Sequence, residues 1–214
     1  MTQDIAQLRA QYQRDGIEYR DLDPDPINQF KRWYEEWLGL GTFDASAAVL
    51  ATADRVHRPS VRWLRLTQVD RGFVFFTDYR SRKATDLAVN PQAALCFGWL
   101  DLARQVRVDG IVSKLSAVES DTYFAGQPRA LQLQAMASDQ RSTVPDREIL
   151  RQRIRLLESE FSGRQIPRPR DWGGYRLVPE EVEFWQGRED NLHDRYRYRR
   201  HSADSPWLIE RVAP

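Results

Sequence analysis

The 214-residue chain contains one cysteine, Cys96, and only three histidines, which lie far apart. A single thiol excludes an internal disulfide and a cysteine metal cluster, and it favours a reducing compartment. His57, His193 and His201 have no metal-ligand neighbour at short spacing, so no metal site is predicted. The chain also lacks an apolar signal core and any run of eighteen apolar residues, and we therefore expect a soluble protein of the cytoplasm.

Several standard catalytic motifs are missing as well. The sequence has no glycine-rich loop of the P-loop or dinucleotide type, no HExxH and no GxSxG.

Lys and Arg total 32 against 31 Asp and Glu, so no global positive field indicates a nucleic acid or membrane partner. We interpret RYRYRR, residues 195–200, as a strand with one aromatic and one cationic face rather than as a site for single-stranded nucleic acid. Any anion site must be local.

What is present is a globular composition, with 41% hydrophobic and 29% charged residues. Short apolar or alternating segments separated by turn residues predict an antiparallel sheet or barrel. These segments are AAVLATAD, SVRWLRLTQVD, GFVFFTD, AALCFGW, RQVRVDGIVSKLS, YRLVPEEVEFWQG, RYRYRR and PWLIERV. Helical patterns between and around them make the predicted class α+β, with peripheral helices.

Six helices are predicted from spacing and capping residues. They comprise a short one near Ile5–Tyr12, one capped by Asp25 with Pro26 in its first position, one from Ser81 to Asn90, one begun by a Ser116/Glu119 capping box, ALQLQAMASDQ, and one capped by Asp146. The first is assigned to an N-terminal arm, residues 1–20, and residues 21–214 to a single domain. The Pro-spaced segment IPRPRDWGGY is interpreted as a linker within that domain.

The helix that begins at Ser81 has two cations, Arg82 and Lys83, in its first turn. Positive charges are unfavourable at that end of the helix dipole. They are expected there if an anion binds the free backbone N–H groups of the helix start. The alternative is a pair of solvated surface cations.

The segment from Glu183 to Arg195, EFWQGREDNLHDR, is predicted to be a hairpin. It would project the polar side chains of Gln186, Asn191, His193 and Arg195 from a rigid support, as a site for a planar polar ligand requires. The alternative interpretation places Trp185 in the core and the charges in water.

The order of the motifs resembles the pyridoxamine 5'-phosphate oxidase family over nearly the whole chain, from about Ile5 to Pro214. The motifs are RDLDPDPINQFKRW, LATAD, RPSVRWLRL, FFTDYRSRKATDLAVNP, RQVRVDG, YFAGQPR, WGGYR, EFWQGRE, LHDR and ERVAP. The resemblance implies a split β-barrel homodimer with FMN in clefts between the subunits. It also implies an oxidase that passes two electrons from its substrate through FMN to O2, releasing H2O2.

Carried onto this sequence, the resemblance assigns the FMN phosphate to Arg62, Arg82 and Lys83. The remaining positions that it assigns to FMN are Trp63, Leu64, Arg65, Thr67, Phe76, Thr77, Gln105, Gln140, Arg141, Trp185 and Arg195. It places Arg9 and Tyr12 over the substrate. His193 and Tyr123 are the candidate catalytic residues, and they also belong to the substrate-binding set.

The substrate side departs from the family pattern. The family holds the substrate phosphate with a Lys, a Tyr, an Arg and a Ser, and the corresponding residues here are Thr67, Tyr123, Gln127 and Leu131. An Arg that lies over the substrate ring in the family is Asn191 here. Each lost charge-assisted hydrogen bond is worth about 1.5–3 kcal/mol, so we expect a less charged, more apolar substrate.

Four hypotheses remain open from the sequence. The first is an FMN-dependent oxidase with a diverged substrate. The second is a genuine pyridoxine or pyridoxamine 5'-phosphate oxidase in which Arg65 and Arg129 replace the missing cations. The third is an oxidase of a reduced aromatic metabolite of the phenazine type, and the fourth is a protein that binds FMN or pyridoxal phosphate without turnover.

Overall fold

The computed structural model describes residues 4–41, 44–140, 142–202 and 205–214, which form one curled antiparallel sheet with helices around it. The strands are β1 Ala47–Ala53, β2 Pro59–Arg65, β3 Gln68–Val69, β4 Phe73–Asp78, β5 Gln92–Trp99, β6 Arg104–Lys114, β7 Trp172–Gln186, β8 Asp194–Arg199 and β9 Leu208–Arg211. The helices are α1 Ile5–Asp15, α2 Pro26–Gly39, α3 Arg82–Val89, α4 Ala117–Ala125, α5 Arg129–Ala137 and α6 Arg147–Glu160. The predicted α+β class is confirmed.

The strand order is β2-β1-β5-β6-β7-β4-β3, with β8 beside β7 and β9 beside β8. SVRWLRLTQVD was predicted as one strand, but it forms β2 and β3 with Thr67 between them. The chain changes partners at this point, because β2 pairs with β1 whereas β3 pairs with β4. Thr67 bridges the change: its backbone N–H and its hydroxyl both donate to the carbonyl of Val74 at 2.9 Å.

Helix α2 fills the concave side of the sheet. It begins as predicted, with the carboxylate of Asp25 accepting from the N–H of Ile27 at 2.8 Å and Pro26 in the first turn. Phe30 is fully buried, and its ring lies 4.9 Å from that of Phe73. Burial of a side chain of this size contributes about 1.5–3 kcal/mol, so Phe30 helps to hold this helix against the sheet.

Helix α1 packs against the barrel through three side chains. Leu8 is buried, and the guanidinium of Arg9 donates to the carbonyl of Leu100 at 3.2 Å. The ring of Tyr12 lies 3.9 Å from the guanidinium carbon of Arg104, a cation–π contact. These contacts dock the N-terminal segment beside the start of β6, and the division at residue 20 stays a prediction. None of the described helices has the length and apolar composition needed to cross a membrane.

Arg176 of β7 ties α4 to the sheet. Its guanidinium binds both oxygens of Asp70 and lies 3.1 Å from Glu119, the residue that closes the predicted capping box with Ser116. The Ser116 hydroxyl and N–H, followed by Arg176, lower the pKa of Glu119 to about 2. Because this is below the ordinary value of 4.5, the interaction stabilises the fold above about pH 4.5 and is lost as the pH falls toward 2.

We therefore expect Glu119→Gln to lower the thermal unfolding temperature at pH 7 and to flatten its decline between about pH 4.5 and 2. Thermal unfolding of the wild type and the variant across this range checks the prediction. Glu158→Gln, at an exposed position of α6, is the matched control and should keep the wild-type decline. Equal slopes for Glu119→Gln and the wild type would show that Glu119 does not titrate in this way.

Candidate functional site

Three cations surround the start of α3. Arg62 projects from the inward face of β2, where its guanidinium donates to the hydroxyls of Thr52 at 2.8 Å and Ser60 at 2.7 Å. It also lies 4.0 Å from the buried carboxylate of Asp86. These partners hold the guanidinium in one orientation beside the first turn of α3, which supplies the exposed Arg82 and the half-buried Lys83.

The three cations raise each other's electrostatic energy. Burial lowers the pKa of the Lys83 amine, and the charge of Arg62 lowers it further against the opposing effect of Asp78. Burial also lowers the pKa of Arg62, and nearby Arg82 acts in the same direction. Burial and mutual repulsion both disfavour the positive charges of this site, and a bound anion would offset both effects.

A phosphate group fits the donors present at this helix start. Ser81 is the N-cap residue as predicted, but its side chain does not cap the helix. Its hydroxyl is buried and has no hydrogen-bond partner within the described parts of the chain. The free N–H groups of the first turn, this hydroxyl and the cations of Arg62 and Lys83 together supply the donors that a phosphate dianion accepts from.

Lys83 connects this anion corner to a second set of predicted residues. Its amine donates to the hydroxyl of Thr77 at 2.9 Å and to the amide oxygen of Gln140 at 3.0 Å. Thr77 is the penultimate residue of β4, and Gln140 follows α5. The structure therefore places Thr77 and Gln140 at the amine of Lys83, and Arg62 lies near enough for its charge to act on that amine.

A cavity of about 250 Å³ lies beside this corner. Seven of the predicted residues line it: Arg65, Thr67, Phe76, Tyr123, Gln127, Leu131 and Gln140. Six further residues that line the cavity were not predicted from the sequence, namely Asp78, Phe124, Gln134, Ala135, Ser138 and Trp172. Trp172 fell within the segment interpreted as a linker, although an aromatic directly before the strand-like GGYRLV was a usable signal.

Aromatic rings form one wall of the cavity. The rings of Phe76 and Tyr123 stack at 3.7 Å with an interplanar angle of 9°, and Trp172 stacks on Phe76 at 5.3 Å. Gly174 lies opposite Phe76 in the sheet, and a Cβ there would be 2.9 Å from the Phe76 ring. Burial raises the pKa of the Tyr123 hydroxyl, so it stays protonated and able to donate at neutral pH.

The charges that line the cavity are compensated. Arg65 is exposed and lies 3.2 Å from the carboxylate of Asp44, and Asp78 lies 3.3 Å from the guanidinium of Arg80. The amide of Gln127 donates to a backbone carbonyl of α4 at 3.4 Å. The cavity is therefore polar on one side and aromatic on the other, with little net charge.

Arg129 was one of two cations suggested as replacements in a phosphate pocket. The structure gives it another role, because its guanidinium donates to the backbone carbonyls of Phe161 at 2.8 Å and Arg164 at 3.2 Å. It does not line the cavity. In this structure Arg129 ties the start of α5 to the end of α6, and its suggested part in a phosphate pocket stays a prediction.

A second group of predicted residues lies away from this cavity. Gln105, Trp185 and Arg195 are cross-strand neighbours in one row over β6, β7 and β8. Arg195 is held by the carboxylate of Glu183 at 2.8 Å and by the carbonyl of Ala213 at 2.7 Å. None of the three lines the cavity.

His193 belongs to this second group. Its ring lies 4.8 Å from that of Trp185, and its Nδ1 accepts from the backbone N–H of Arg188 at 3.0 Å. This hydrogen bond assigns the proton of the neutral imidazole to Nε2, which is left as a donor. Asn191 is exposed, with φ of 62°, a left-handed conformation that asparagine tolerates well.

Arg9 and Tyr12 lie near the second group, because Tyr12 contacts Arg104, the neighbour of Gln105 in β6. Gln186 does not project from the hairpin as predicted. It is fully buried, with its amide oxygen accepting from Arg104 at 2.9 Å and its amide nitrogen donating to the carbonyl of Ala103 at 3.2 Å. Its role is to satisfy buried polar groups at the hairpin base.

Strand β2 presents the remaining predicted residues. Trp63 is 69% exposed on the outer face of the sheet, next to Val61 at 67%, while Leu64 points to the other face and packs on the core. Arg141 lies outside the described residues. The outer face thus carries a large exposed aromatic on an edge strand, which is typical of an interaction surface.

The fold and the site together define a class of protein. It is an antiparallel split barrel in which a helix that starts among three cations lies beside a cavity with an aromatic wall. Comparison with known families shows which family within this class the chain matches. Residues 41–161 match the family described as "Pyridoxamine 5'-phosphate oxidase", and residues 172–214 match "Pyridoxine 5'-phosphate oxidase C-terminal dimerisation region". The chain belongs to the pyridoxamine 5'-phosphate oxidase family, as the order of its motifs predicted.

Individual relatives agree with this membership. The "Pyridoxine/pyridoxamine 5'-phosphate oxidase" of Ralstonia pickettii is 49% identical over 98% of this chain and 99% of its own length. PhzG from Burkholderia lata, solved with tetrahydrophenazine-1-carboxylic acid, has a TM-score of 0.87 at 31% identity and covers 94% of this chain and 100% of its own. An FMN-binding protein of Nostoc punctiforme has a TM-score of 0.73 at 19% identity, with 90% and 100% covered, and supports the split-barrel fold alone.

Proposed function

We propose that this protein is an FMN-dependent oxidase that passes two electrons from an organic substrate through FMN to O2 and releases H2O2. We further propose that its substrate differs from pyridoxine or pyridoxamine 5'-phosphate. One observation carries the proposal: a set of anion donors at the start of α3 lies beside a cavity in which Thr67, Gln127 and Leu131 supply no cation.

The residues of the anion corner would hold the FMN phosphate. Arg62, Arg82 and Lys83 supply the charge, and the first turn of α3 supplies backbone N–H donors. Thr77 and Gln140, both bonded to Lys83, are placed to contact the rest of the cofactor. FMN, when bound, supplies the two-electron redox chemistry, and the protein supplies binding, orientation and exclusion of water.

A homodimer with FMN between the subunits explains why the predicted residues form two groups. Gln105, Trp185, His193 and Arg195 do not line the cavity of their own subunit. In a twofold dimer, this second group of one subunit would complete the first group of the other. The exposed outer face around Trp63 and the matched dimerisation region at residues 172–214 support such an assembly.

The proposed substrate has a flat ring system and less charge than a phosphate ester. The stacked rings of Phe76, Tyr123 and Trp172 favour a flat ring system. Tyr123 and the Nε2–H of His193 are the donors that would orient it, with His193 contributed by the other subunit. The structural relative PhzG was solved with a tetrahydrophenazine carboxylic acid, and a reduced aromatic of that kind is the leading substrate class for this cavity.

A second candidate is oxidation of pyridoxine or pyridoxamine 5'-phosphate. It is favoured by the names of full-length relatives, including the Ralstonia pickettii protein at 49% and a Cyanothece protein at 44% identity. Arg65 is the cation in the cavity lining that would bind the substrate phosphate in that case. The single cysteine is compatible with a reducing compartment such as the cytoplasm for either reaction.

Peroxide release by the FMN-loaded protein separates these candidates. The panel contains pyridoxine 5'-phosphate, pyridoxamine 5'-phosphate and a tetrahydrophenazine carboxylic acid, each at equal concentration in air. We expect turnover of the reduced aromatic and little or none of the two phosphates. The reverse order would establish the second candidate. Loaded protein that oxidises nothing in the panel and whose flavin stays oxidised under anaerobic substrate would favour a binding protein without turnover.

A further inference from the structure

Asp194 is a buried carboxylate with no part in the proposed redox chemistry. It is the first residue of β8, lies between His193 and Arg195 in the sequence, and is 3% exposed. Its carboxylate lies 3.6 Å from the guanidinium of Arg188 and forms a second ion pair with Arg211 of β9. Burying a carboxylate is costly, and two guanidiniums compensate that cost here. The residue therefore joins β8 to two other segments of the chain.

A third segment meets the same carboxylate, namely the turn that follows α1. The backbone N–H of Ile17 donates to Asp194 at 3.0 Å in a buried position. Gly16, with φ of 68°, permits this close approach, because a Cβ there would overlap both the Asp194 carboxylate and the Arg188 guanidinium. The end of α1 is thus attached to the hairpin of β7 and β8 at one buried point.

Arg188 connects this point to His193. Its guanidinium pairs with Asp194, while its backbone N–H donates to Nδ1 of His193 at 3.0 Å. The four residues between Arg188 and His193 are all exposed. The ion pair therefore holds the start of this loop against its end, where the hydrogen bond to the imidazole forms. Because that hydrogen bond leaves the proton on Nε2, the position of Arg188 sets which ring nitrogen can donate.

We propose that Asp194 is a positioning residue: by holding Arg188 and the end of α1, it keeps His193 in the tautomer in which Nε2 carries the proton. The proposal rests on the proposed function in assigning that N–H to a substrate, whereas the contacts that fix the ring belong to the chain itself. Loss of the carboxylate's charge releases Arg188, and the imidazole then populates both neutral tautomers.

Asp194→Asn tests this role, because asparagine has the same shape and can still accept from Ile17 but no longer attracts the two guanidiniums. Glu189→Gln is the matched control, since it removes one negative charge from the exposed part of the same loop. The chain has three histidines, so nitrogen NMR of protein with isotope-labelled histidine rings gives few signals, and His193→Gln identifies those of His193. At about pH 8, where an ordinary imidazole is neutral, we expect a protonated Nε2 in the wild type and in Glu189→Gln. Asp194→Asn should give a mixture of both tautomers.

Three further variants separate positioning of the ring from a general loss of stability. Arg188 is only partly buried, so Arg188→Ala should fold and should give the same mixture of tautomers as Asp194→Asn. Arg188→Lys keeps a positive charge and should recover part of the wild-type signal. Gly16→Ala displaces the guanidinium from outside the hairpin and should also produce the mixture. A single Nε2–H tautomer in Arg188→Ala or in Asp194→Asn, or a mixture already present in the wild type, would overturn the proposal.

Activity on the tetrahydrophenazine carboxylic acid shows whether the orientation of the ring matters to the reaction. We expect kcat/KM to fall about tenfold in Asp194→Asn and Arg188→Ala and to stay at the wild-type value in Glu189→Gln. A changed tautomer with wild-type kcat/KM would contradict the assignment of His193 to the substrate, which belongs to the proposed function. If the wild type oxidises no substrate of the panel, the proposed function fails, and the NMR signals still decide whether Asp194 positions His193.

Discussion

Replacing Arg82 and Lys83 together by alanine is expected to weaken FMN binding at least about a hundredfold. Each charge-assisted hydrogen bond to a phosphate is worth about 1.5–3 kcal/mol, and a loss of about 2.7 kcal/mol already corresponds to a factor of 100 in Kd. Lys83 should account for the larger share, because it is half-buried whereas Arg82 is exposed. Titration of the apoprotein with FMN, followed by flavin fluorescence, measures the loss.

The same double variant should not destabilise the FMN-free protein. Burial and the charge of Arg62 lower the pKa of Lys83, so removal of its charge relieves repulsion within the corner. We expect the thermal unfolding temperature without FMN to be unchanged or slightly raised. Lys31→Ala on α2 serves as the control and should alter neither quantity. A variant with weakened FMN binding and an equally large loss of apoprotein stability would instead make Arg82 and Lys83 structural.

Restoring the phosphate pocket should create activity on pyridoxine 5'-phosphate. The triple variant Thr67→Lys, Gln127→Arg, Leu131→Ser adds two cations and a hydroxyl to the cavity lining. Two new charge-assisted contacts at about 1.5 kcal/mol each predict a rise in kcat/KM of roughly a hundredfold. Peroxide release under steady-state conditions gives this number for the wild type and the variant.

Unphosphorylated pyridoxine is the control substrate, and it should gain nothing, because the new side chains act only on the phosphate. An equal gain on both substrates, or none on either, would show that these positions do not contact a substrate phosphate. Asn191→Arg is best added as a separate step. Its backbone is left-handed, with φ of 62°, and an arginine there costs about 1–2 kcal/mol of stability.

Local patterns in the sequence predicted most of the helices and strands and suggested where one end of the site lies. The alternation of RYRYRR predicted a strand with one aromatic and one cationic face, and in β8 the aromatic face, Tyr196 and Tyr198, is the buried one. The cations in the first turn of α3 suggested an anion site, with solvated surface cations as the alternative, because dipole and charge are local properties.

Contacts across the sheet were not predictable in the same way. Trp172 meets Phe76 because β4 pairs with β7, almost a hundred residues further along the chain, and no local pattern encodes that pairing. Gln186 was predicted to be exposed from its place in a turn, yet it bonds buried groups at the ends of β6 and β7. Likewise, the spacing of the site residues along the sequence does not show that they fall into two groups, one at the cavity and one over β6, β7 and β8.

The exposed indole of Trp63 lies on the outer face that we propose as a dimer contact, and this affects which substitutions that face tolerates. When two identical patches meet about a twofold axis, each contact between different residues occurs twice. One substitution therefore changes two contacts, and its effect on the free energy of association is doubled. A substitution that costs an isolated subunit almost nothing would then be penalised at two places in the assembled pair. We therefore expect random mutagenesis to tolerate fewer replacements at Val61 and Trp63 than at equally exposed positions such as Leu156 on α6.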